Sequence, residues 1–160
     1  MESKETTYYK TPIGIAEIIG DEHGICEITI LDEEVKIPKK IPKVLQDCIQ
    51  QLDEYFEGKR TQFTVKLNPE GTEFQKKVWN ELLNVPFGKT ISYIEQSNNL
   101  GNTKAIRAVA SANGRNPIWI LIPCHRIIGK NGSLTGYAGG IWRKRWLLDH
   151  ENPPAQQSLF

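Results

Sequence analysis

The spacing of apolar residues changes partway along the chain, and this change limits which folds the sequence can form. Up to about residue 68, apolar and polar residues alternate through "YYKTPIGIAEIIG" and "GICEITILDEEVKI". Such alternation is typical of strands with one buried face, and "GDEHG" between the two stretches predicts a turn. After "NPEGT", apolar residues mostly recur three and four positions apart, which is the spacing of helices packed on a core. The change predicts two modules of different architecture.

The first module is predicted to hold a small sheet and one helix. Apolar residues from Val44 to Phe56 recur at helical spacing, and Gly58 follows them as a predicted helix stop. The segment "FTVKL" then predicts a short strand before the linker. The predicted domains are residues 1–68 and residues 69–151, followed by a mobile tail of residues 152–160.

The second module is predicted to be mainly helical. Thr72–Gln75 and Ser92–Glu95 have the residue types of capping boxes and start two helices. Gly101 then turns the chain into "NTKAIRAVASANG", a helix ended by Gly114, which gives a helix-turn-helix outline. "IWILI" predicts a buried strand, "GKNGSLTG" a hairpin-like loop and "IWRKRWLLDH" a final amphipathic helix. The predicted fold class is α+β, with a strand-rich N-terminal domain containing one helix and a mainly helical C-terminal domain.

No feature of the sequence indicates export or a membrane. The N-terminus lacks the charged-then-apolar pattern of a signal peptide, and no apolar run reaches the roughly 20 residues of a membrane span. The three cysteines are widely spaced and odd in number, which does not fit a disulfide framework. His23 and Cys26 have no second pair at zinc spacing, so no metal site is predicted. We expect a cytoplasmic protein in a bacterium or archaeon, or a nuclear one in a eukaryote, with no membrane partner.

Charge is distributed unevenly between the two modules. Residues 1–68 carry 9 Lys/Arg and 13 Asp/Glu, whereas residues 69–151 carry 11 and 6. A surface that binds a polyanion is therefore expected in the second module.

The segment "NPIWILIPCHRIIG" ends an apolar run on a proline and then sets Cys124, His125 and Arg126 side by side. Three interpretations are open for Cys124: a buried thiol, a metal ligand or a nucleophile. A nucleophilic thiol needs a base or a positive neighbour to lower its pKa, and the next two residues are of these types. Glu151 ends the last predicted helix and is a further acidic partner.

The relation between the thiol and the imidazole is left open by the residues alone. Successive side chains of an extended segment point to opposite faces, so His125 cannot simply lie on Cys124. Either the chain bends after Pro123, or a water molecule bridges the two groups.

"IPCHRII", with "RNP" before it and "GSLTGYAGG" and "WLLDHE" after it, resembles the O6-alkylguanine-DNA alkyltransferase family, the methylated-DNA–protein-cysteine methyltransferases. The resemblance covers the second module from about Phe74 to Glu151. The first module resembles the family's ribonuclease-H-like supporting domain only in size and layout. The resemblance implies DNA repair by direct reversal, in which an alkyl group moves irreversibly from O6-alkylguanine, or from O4-alkylthymine, to Cys124. Each molecule would act once, without a metal or other cofactor.

The resemblance also implies roles for five catalytic side chains. His125 would draw the proton from Cys124 through water, and Glu151 would orient and hold the imidazolium. Tyr93 would sit over the flipped base and donate a hydrogen bond to N3 of the leaving guanine. Asn116 would tie a helix end to the active-site segment.

Double-stranded DNA is the implied partner, bound by a monomer through the minor groove with the damaged base flipped out. Arg107 would fill the gap left by the extruded nucleotide, and small residues around it would let the helix approach the backbone closely. The implied DNA-contacting residues are Arg107, Thr103, Ala105, Ser111, Arg115 and Arg126.

The implied substrate pocket is formed by Tyr137, Ala138, Gly139, Trp119 and Ile127. Ala138 stands where family members often have serine, so a hydroxyl near the guanine oxygen is missing. Trp119 replaces the proline of some members at the pocket lip, which puts tolerance of bulky alkyl groups in question.

Three other functions compete with alkyl transfer. A lesion sensor of the same fold would bind the damaged base without reacting, but it carries another residue in place of Cys124. A transcriptional regulator would need a dimer surface or an effector domain, for which the acidic first module is a poor candidate. A cysteine hydrolase would need an oxyanion-hole loop, and none is evident.

Overall fold

The structure is a computed structural model that describes residues 3–134 and 136–153. These residues form two compact units. One unit runs to Glu70 and includes Pro117–Leu121, whereas the other comprises Gly71–Asn116 and continues from Ile122. The segment Pro117–Leu121 thus lies with the first unit, although the sequence placed it in a domain of residues 69–151. Of the predicted tail, residues 154–160 lie outside the described part of the chain.

The first unit is built on an antiparallel sheet of three strands. These are β1 (Glu5–Thr11), β2 (Gly14–Asp21) and β3 (Gly24–Leu31), which pair in the order β1-β2-β3. The stretch "YYKTPIGIAEIIG" therefore forms two strands, because the chain turns between Thr11 and Gly14, where Gly14 has a φ of 131°. Glycine adopts such a positive φ without the steric penalty of a side chain.

One helix, α1 (Lys43–Phe56), packs against all three strands of this sheet. Its side chains at Leu45, Leu52 and Tyr55 are fully buried, as the helical spacing predicted. Gly58 follows the helix with a φ of 78°, so the predicted glycine stop is confirmed. The first unit thus has the predicted small sheet and single helix.

Two predicted strands are absent from the described structure. The segment "FTVKL" forms a single isolated β-bridge, between Leu67 and Ile25. The segment "IWILI" likewise forms a single one, between Ile118 and Ile28. The remaining residues of "IWILI" form turns, and Ile120 has a φ of 69°, which is rare for a β-branched residue. The prediction of a strand was wrong here because a short apolar run is buried in either conformation.

The second unit is mainly helical, as predicted. Its helices are α2 (Glu73–Leu82), α3 (Tyr93–Asn99), α4 (Ile106–Gly114) and α5 (Ile141–Glu151), and two short strands, β4 (Ile91–Ser92) and β5 (Ile127–Ile128), pair in parallel. A 3₁₀ turn at Thr103–Ala105 leads into α4. The fold class α+β is confirmed. No helix within the described ranges is long and apolar enough to cross a membrane.

The predicted caps begin the first two helices of this unit. Gln75 N donates to Thr72 Oγ1 at 3.1 Å, and Thr72 N donates to Gln75 Oε1 at 2.9 Å, which is a complete capping box. Glu95 N donates to Ser92 Oγ at 3.1 Å at the start of α3. Gly101, with a φ of 81°, then turns the chain between α3 and α4. The helix-turn-helix outline is therefore present.

Helix α5 differs from the amphipathic helix that the sequence predicted. Its buried residues are Arg143, Lys144, Leu147 and Glu151, so three of the four are charged. Burying a charged side chain costs free energy unless the charge is paired, so this helix face is a candidate functional surface.

Candidate active site

Cys124 opens a 3₁₀ turn, Cys124–Arg126, directly after Pro123. The turn is closed by two backbone hydrogen bonds, from Cys124 N to Ile122 O at 2.8 Å and from Arg126 N to Pro123 O at 3.1 Å. The chain therefore bends at the proline and does not run on as a strand. The bend does not join the two groups directly: His125 Nδ1 has no hydrogen-bond partner in the described structure, so a bridging water molecule stays a prediction.

The thiol of Cys124 contacts an asparagine at the end of the neighbouring helix. Asn116 Nδ2 donates to Cys124 Sγ at 3.2 Å and to Ile122 O at 2.7 Å. Asn116 follows α4, so its side chain connects the end of that helix to the active-site turn. A donor at this distance stabilises a thiolate more than a thiol.

His125 and Glu151 form a buried pair. His125 Nε2 lies 2.7 Å from Glu151 Oε2, and the two side chains are 0% and 1% exposed. The other ring nitrogen, Nδ1, is buried without a hydrogen-bond partner in the described structure. Burial lowers the pKa of His125 below its usual value, although Glu151 acts in the opposite direction. The imidazole is therefore neutral at neutral pH, the form that accepts a proton.

Arg126 is the second partner of the same carboxylate. Its Nε lies 2.8 Å from Glu151 Oε1 and its Nη2 lies 3.0 Å from Oε2, while Nη1 donates to Val85 O at 2.7 Å. The guanidinium also lies over the ring of Phe87. Burial acts to raise the pKa of Glu151, but His125 and Arg126 outweigh it and hold that pKa well below its usual range.

Arg126 was expected from the sequence to contact DNA. In this structure its side chain is 8% exposed and its nitrogens bind a carboxylate and a carbonyl, so the guanidinium is engaged within the protein.

Lys144 is a functional candidate that the sequence analysis missed. It is 1% exposed on α5 and lies seven residues, or two helical turns, before Glu151 on the same face. Burial raises the pKa of the Cys124 thiol, whereas the Asn116 hydrogen bond and the positive charge of Lys144 lower it. Its spacing from Glu151 places both residues on one helix face, but that spacing alone does not show that the lysine is buried.

Four of the six residues expected to contact DNA are exposed at regular spacing along the helix-turn-helix. Thr103, Arg107, Ser111 and Arg115 are exposed and recur every four residues, while Ala105 is partly buried. The opposite face of α4 is buried through Val109, Ala112 and Asn113. The structure thus brings these side chains to the exposed side of the helix-turn-helix.

The residues expected to form the substrate pocket belong to several elements. Tyr137 and Gly139 lie in the loop before α5 and are partly or fully buried, and Ala138 between them is exposed. Gly139 O accepts a hydrogen bond from Arg143 Nη1 at 3.0 Å, which holds the loop to the helix.

The remaining predicted pocket residues have other surroundings. Ile127 is fully buried in β5. Trp119 belongs to the first unit, where its ring centroid lies 6.4 Å from that of Phe56. Tyr93, the first residue of α3, is half-buried. A cavity of about 320 Å³ adjoins Glu151, and its lining residues do not include those predicted for the pocket.

The site combines a thiol with groups that favour its ionised form. Burial raises the pKa of Cys124, and two groups act against this: the Asn116 donor on the sulfur and Lys144, whose own pKa is lowered by burial. Beside it stands a neutral imidazole whose partner carboxylate is ionised. Within the described residues, no three His, Cys, Asp or Glu side chains are grouped to hold a metal ion.

Comparison with protein families matches both parts of the chain. Residues 73–153 match the DNA-binding domain of 6-O-methylguanine DNA methyltransferase, and residues 5–69 match its ribonuclease-like domain. Among curated relatives, a methylated-DNA–protein-cysteine methyltransferase of Methanosarcina acetivorans is 46% identical over 89% of this chain and 95% of its own length. One of the same name from Mycobacterium tuberculosis is 42% identical over 96% of this chain and 98% of its own.

Solved structures agree with these matches. The O6-methylguanine methyltransferase of Mycobacterium tuberculosis superposes with a TM-score of 0.84 at 40% identity, covering 99% of both chains. The same organism's OGT, solved in complex with DNA, gives a TM-score of 0.83 at 42% identity over 96% of this chain and 97% of that one. The protein therefore belongs to the methylated-DNA–protein-cysteine methyltransferase family.

Proposed function

We propose that Cys124 is the residue to which this protein transfers the alkyl group of O6-alkylguanine in DNA. Membership of the family makes DNA repair by transfer of an alkyl group to a protein cysteine the activity of this chain. The observation that carries the assignment is the contact between Asn116 and the Cys124 sulfur, beside the buried His125–Glu151 pair.

The other two cysteines lack such surroundings. Cys48 is fully buried in α1, and burial raises its pKa to about 12. Cys26 is 5% exposed, and burial raises its pKa as well. Because the thiolate is the reactive species, a raised pKa disfavours attack, and burial raises the pKa of Cys124 as well. Cys124 is distinguished by its partners: Asn116 donates to its sulfur, and the next residue belongs to the buried His125–Glu151 pair.

The proposed reaction begins with proton transfer from Cys124 to Nδ1 of His125 through a bridging water molecule. Nδ1 is suited to this because the opposite nitrogen, Nε2, is bound to Glu151, which stabilises the imidazolium that forms. Asn116 and Lys144 stabilise the thiolate that remains.

The sulfur then attacks the alkyl carbon. A C–S bond forms as the C–O6 bond breaks, and the bonding electrons leave with the guanine. A hydrogen bond from the Tyr93 hydroxyl to guanine N3 would neutralise that leaving group. Because the thioether is stable, each molecule acts once, and no cofactor takes part. O4-alkylthymine presents the same kind of alkyl–oxygen bond and is proposed as a second substrate.

The proposed DNA interface is the exposed face of the helix-turn-helix. Arg107 is exposed on α4 and would occupy the space left when the damaged nucleotide is flipped out of the duplex. A stacked base cannot reach a thiol in a pocket, and unstacking it costs a few kcal/mol, so a side chain that fills the gap favours extrusion. We propose binding in the minor groove by a monomer, in the cytoplasm where bacterial and archaeal DNA lies.

The proposal is tested by intact-mass measurement after incubation with a duplex that carries one O6-methylguanine. We expect the mass to rise by one methylene and to stop at one per molecule, with the modification mapped to the peptide of Cys124. Cys124→Ser should show no gain, while the matched control Cys26→Ser should react like the parent. A methyl group on another cysteine would refute the assignment. Tight binding to the damaged duplex without any mass gain would identify a lesion sensor instead.

A further inference from the structure

Glu151 is shared between two positively chargeable side chains, and one of them has no place in the proposed proton transfer. Arg126 donates hydrogen bonds to both carboxylate oxygens, from Nε to Oε1 at 2.8 Å and from Nη2 to Oε2 at 3.0 Å. Its third nitrogen, Nη1, is fixed by Val85 O at 2.7 Å. A two-point bond between a guanidinium and a carboxylate fixes the plane of the carboxylate as well as its position.

The buried carboxylate of Glu151 needs a positively charged partner while His125 is neutral, and Arg126 is that partner. A general base must be neutral before it accepts a proton, so His125 cannot neutralise Glu151 in the resting state. A buried carboxylate without a cationic partner is strongly unfavourable, and it would either take up a proton or draw one onto the imidazole. Arg126 remains charged at all relevant pH values and supplies the missing positive charge.

We propose that Arg126 is a positioning residue for the transfer reaction, which keeps Glu151 ionised and aimed at Nε2 while His125 is still neutral. His125 can then receive the thiol proton on Nδ1 and become an imidazolium beside a carboxylate already in place. This inference rests on the proposed role of His125 as the base.

The groups that face His125 determine how its protonation responds to the loss of Arg126. They are Glu151 and Lys144 on α5 and Arg126 in the same turn, while Cys124 precedes His125 in that turn. Burial and the charges of Arg126 and Lys144 lower the pKa of His125, whereas Glu151 raises it. Removing the charge of Arg126 leaves Glu151 with His125 as its main cationic partner, so the pKa of His125 must rise.

The test compares Arg126→Met, which removes the charge, with Arg126→Lys, which keeps it. The protonation of His125 is followed by NMR of the isotope-labelled imidazole ring between pH 5 and 9. In the parent we expect a neutral ring at pH 7. In R126M we expect the midpoint to rise by at least about one pH unit, with transfer at pH 6.5 slowed about tenfold and recovering at higher pH. In R126K the midpoint should return towards that of the parent.

Two results would overturn the proposal. One is a folded R126M protein, judged by circular dichroism, whose His125 titrates as in the parent. The other is an R126K protein whose His125 midpoint rises as far as in R126M, because charge would then not be the cause. If R126M does not fold, R126K alone decides: a charged lysine must keep His125 neutral at pH 7, and a protonated ring would refute the inference.

A separate variant tests the proposed role of His125 as the base. If His125→Gln transferred the methyl group as fast as the parent, His125 would not be the base, whatever the state of Arg126. The NMR measurement does not depend on transfer, so it still reports whether Arg126 sets the protonation of His125.

Discussion

At the scale of single residues, neighbours in the sequence have very different surroundings. Cys124 is partly exposed, whereas His125 and Arg126, the next two residues, are buried. The 3₁₀ turn after Pro123 produces this difference, since consecutive side chains in such a turn point about 120° apart. Residue Cys124 thus keeps some exposure, while the groups that control protons are kept away from water.

The contact between Asn116 and Cys124 leads to a prediction for the rate of transfer. Asn116→Ala removes the donor 3.2 Å from the sulfur, so the pKa of the thiol should rise further above its usual value. A lost hydrogen bond to a charged group of about 1.5 kcal/mol corresponds to roughly tenfold slower transfer at pH 7. The measurement is the rate of single-turnover methyl transfer as a function of pH.

Asn84→Ala, at an exposed asparagine after α2, is the matched control and should leave the profile unchanged. If Asn116→Ala slows transfer equally at every pH, the contact positions the chain but does not stabilise the thiolate.

The residue scale also shows where sequence reasoning reached its limit. Cys124 and His125 stand in a motif of unusual chemistry, and both could be named from the sequence alone. Lys144 and the true position of Arg126 could not, because charged residues on a helix or beside a motif are normally solvated. Only the packing of α5 against the active-site turn reveals that these cations are buried.

At the scale of elements, helix α4 is held on two sides by polar contacts. Gln96 on α3 and Asn113 on α4 exchange two side-chain hydrogen bonds, each 2.8 Å long and buried. Trp79 on α2 donates from Nε1 to Ala112 O at 2.9 Å. This reciprocal amide pair resists sliding of α4 along α3, because a shift would break both hydrogen bonds and leave buried polar groups unpaired. The opposite face of α4, which carries Arg107, stays free.

This pair predicts strong coupling between two substitutions. Asn113→Leu should destabilise the protein by about 2 kcal/mol, because it leaves the buried amide of Gln96 without its partner. The double variant Gln96→Leu/Asn113→Leu should be less destabilised than the sum of the single variants, since it removes both polar groups. Urea unfolding of all four proteins gives the coupling energy. Strictly additive effects would show that the two amides do not depend on each other.

Elements with clear local signals could be predicted, and those that depend on distant partners could not. The caps at Thr72 and Ser92 and the stop at Gly58 act on their own helices, so the sequence located those boundaries. The segment "IWILI" has the composition of a strand, but only Ile118 finds a strand partner, in β3. Burial of apolar residues does not specify which conformation buries them.

At the scale of the whole molecule, buried ionisable groups limit the pH range in which the chain is stable. On the acid side, the pKa of Glu151 is held below its ordinary 4.5 and that of His125 below 6.5. The unfolded chain therefore takes up protons that the folded chain does not, and stability falls as the pH drops below about 6.5. Both groups belong to the second unit.

On the alkaline side, Cys48 in the first unit has the opposite effect. Burial raises its pKa from 9.0 to about 12, so the folded chain keeps a proton that the unfolded chain loses. Its contribution to stability is complete below pH 9 and should decline by about 1.4 kcal/mol per pH unit above it.

We expect the urea concentration at the unfolding midpoint of the parent to fall as the pH is raised from 9 to 11. Cys48→Ala should be less stable at pH 7 by about 1 kcal/mol, because it leaves a small cavity, yet should show a shallower alkaline decline. An alkaline slope that is the same in both proteins would mean that Cys48 is not the group responsible.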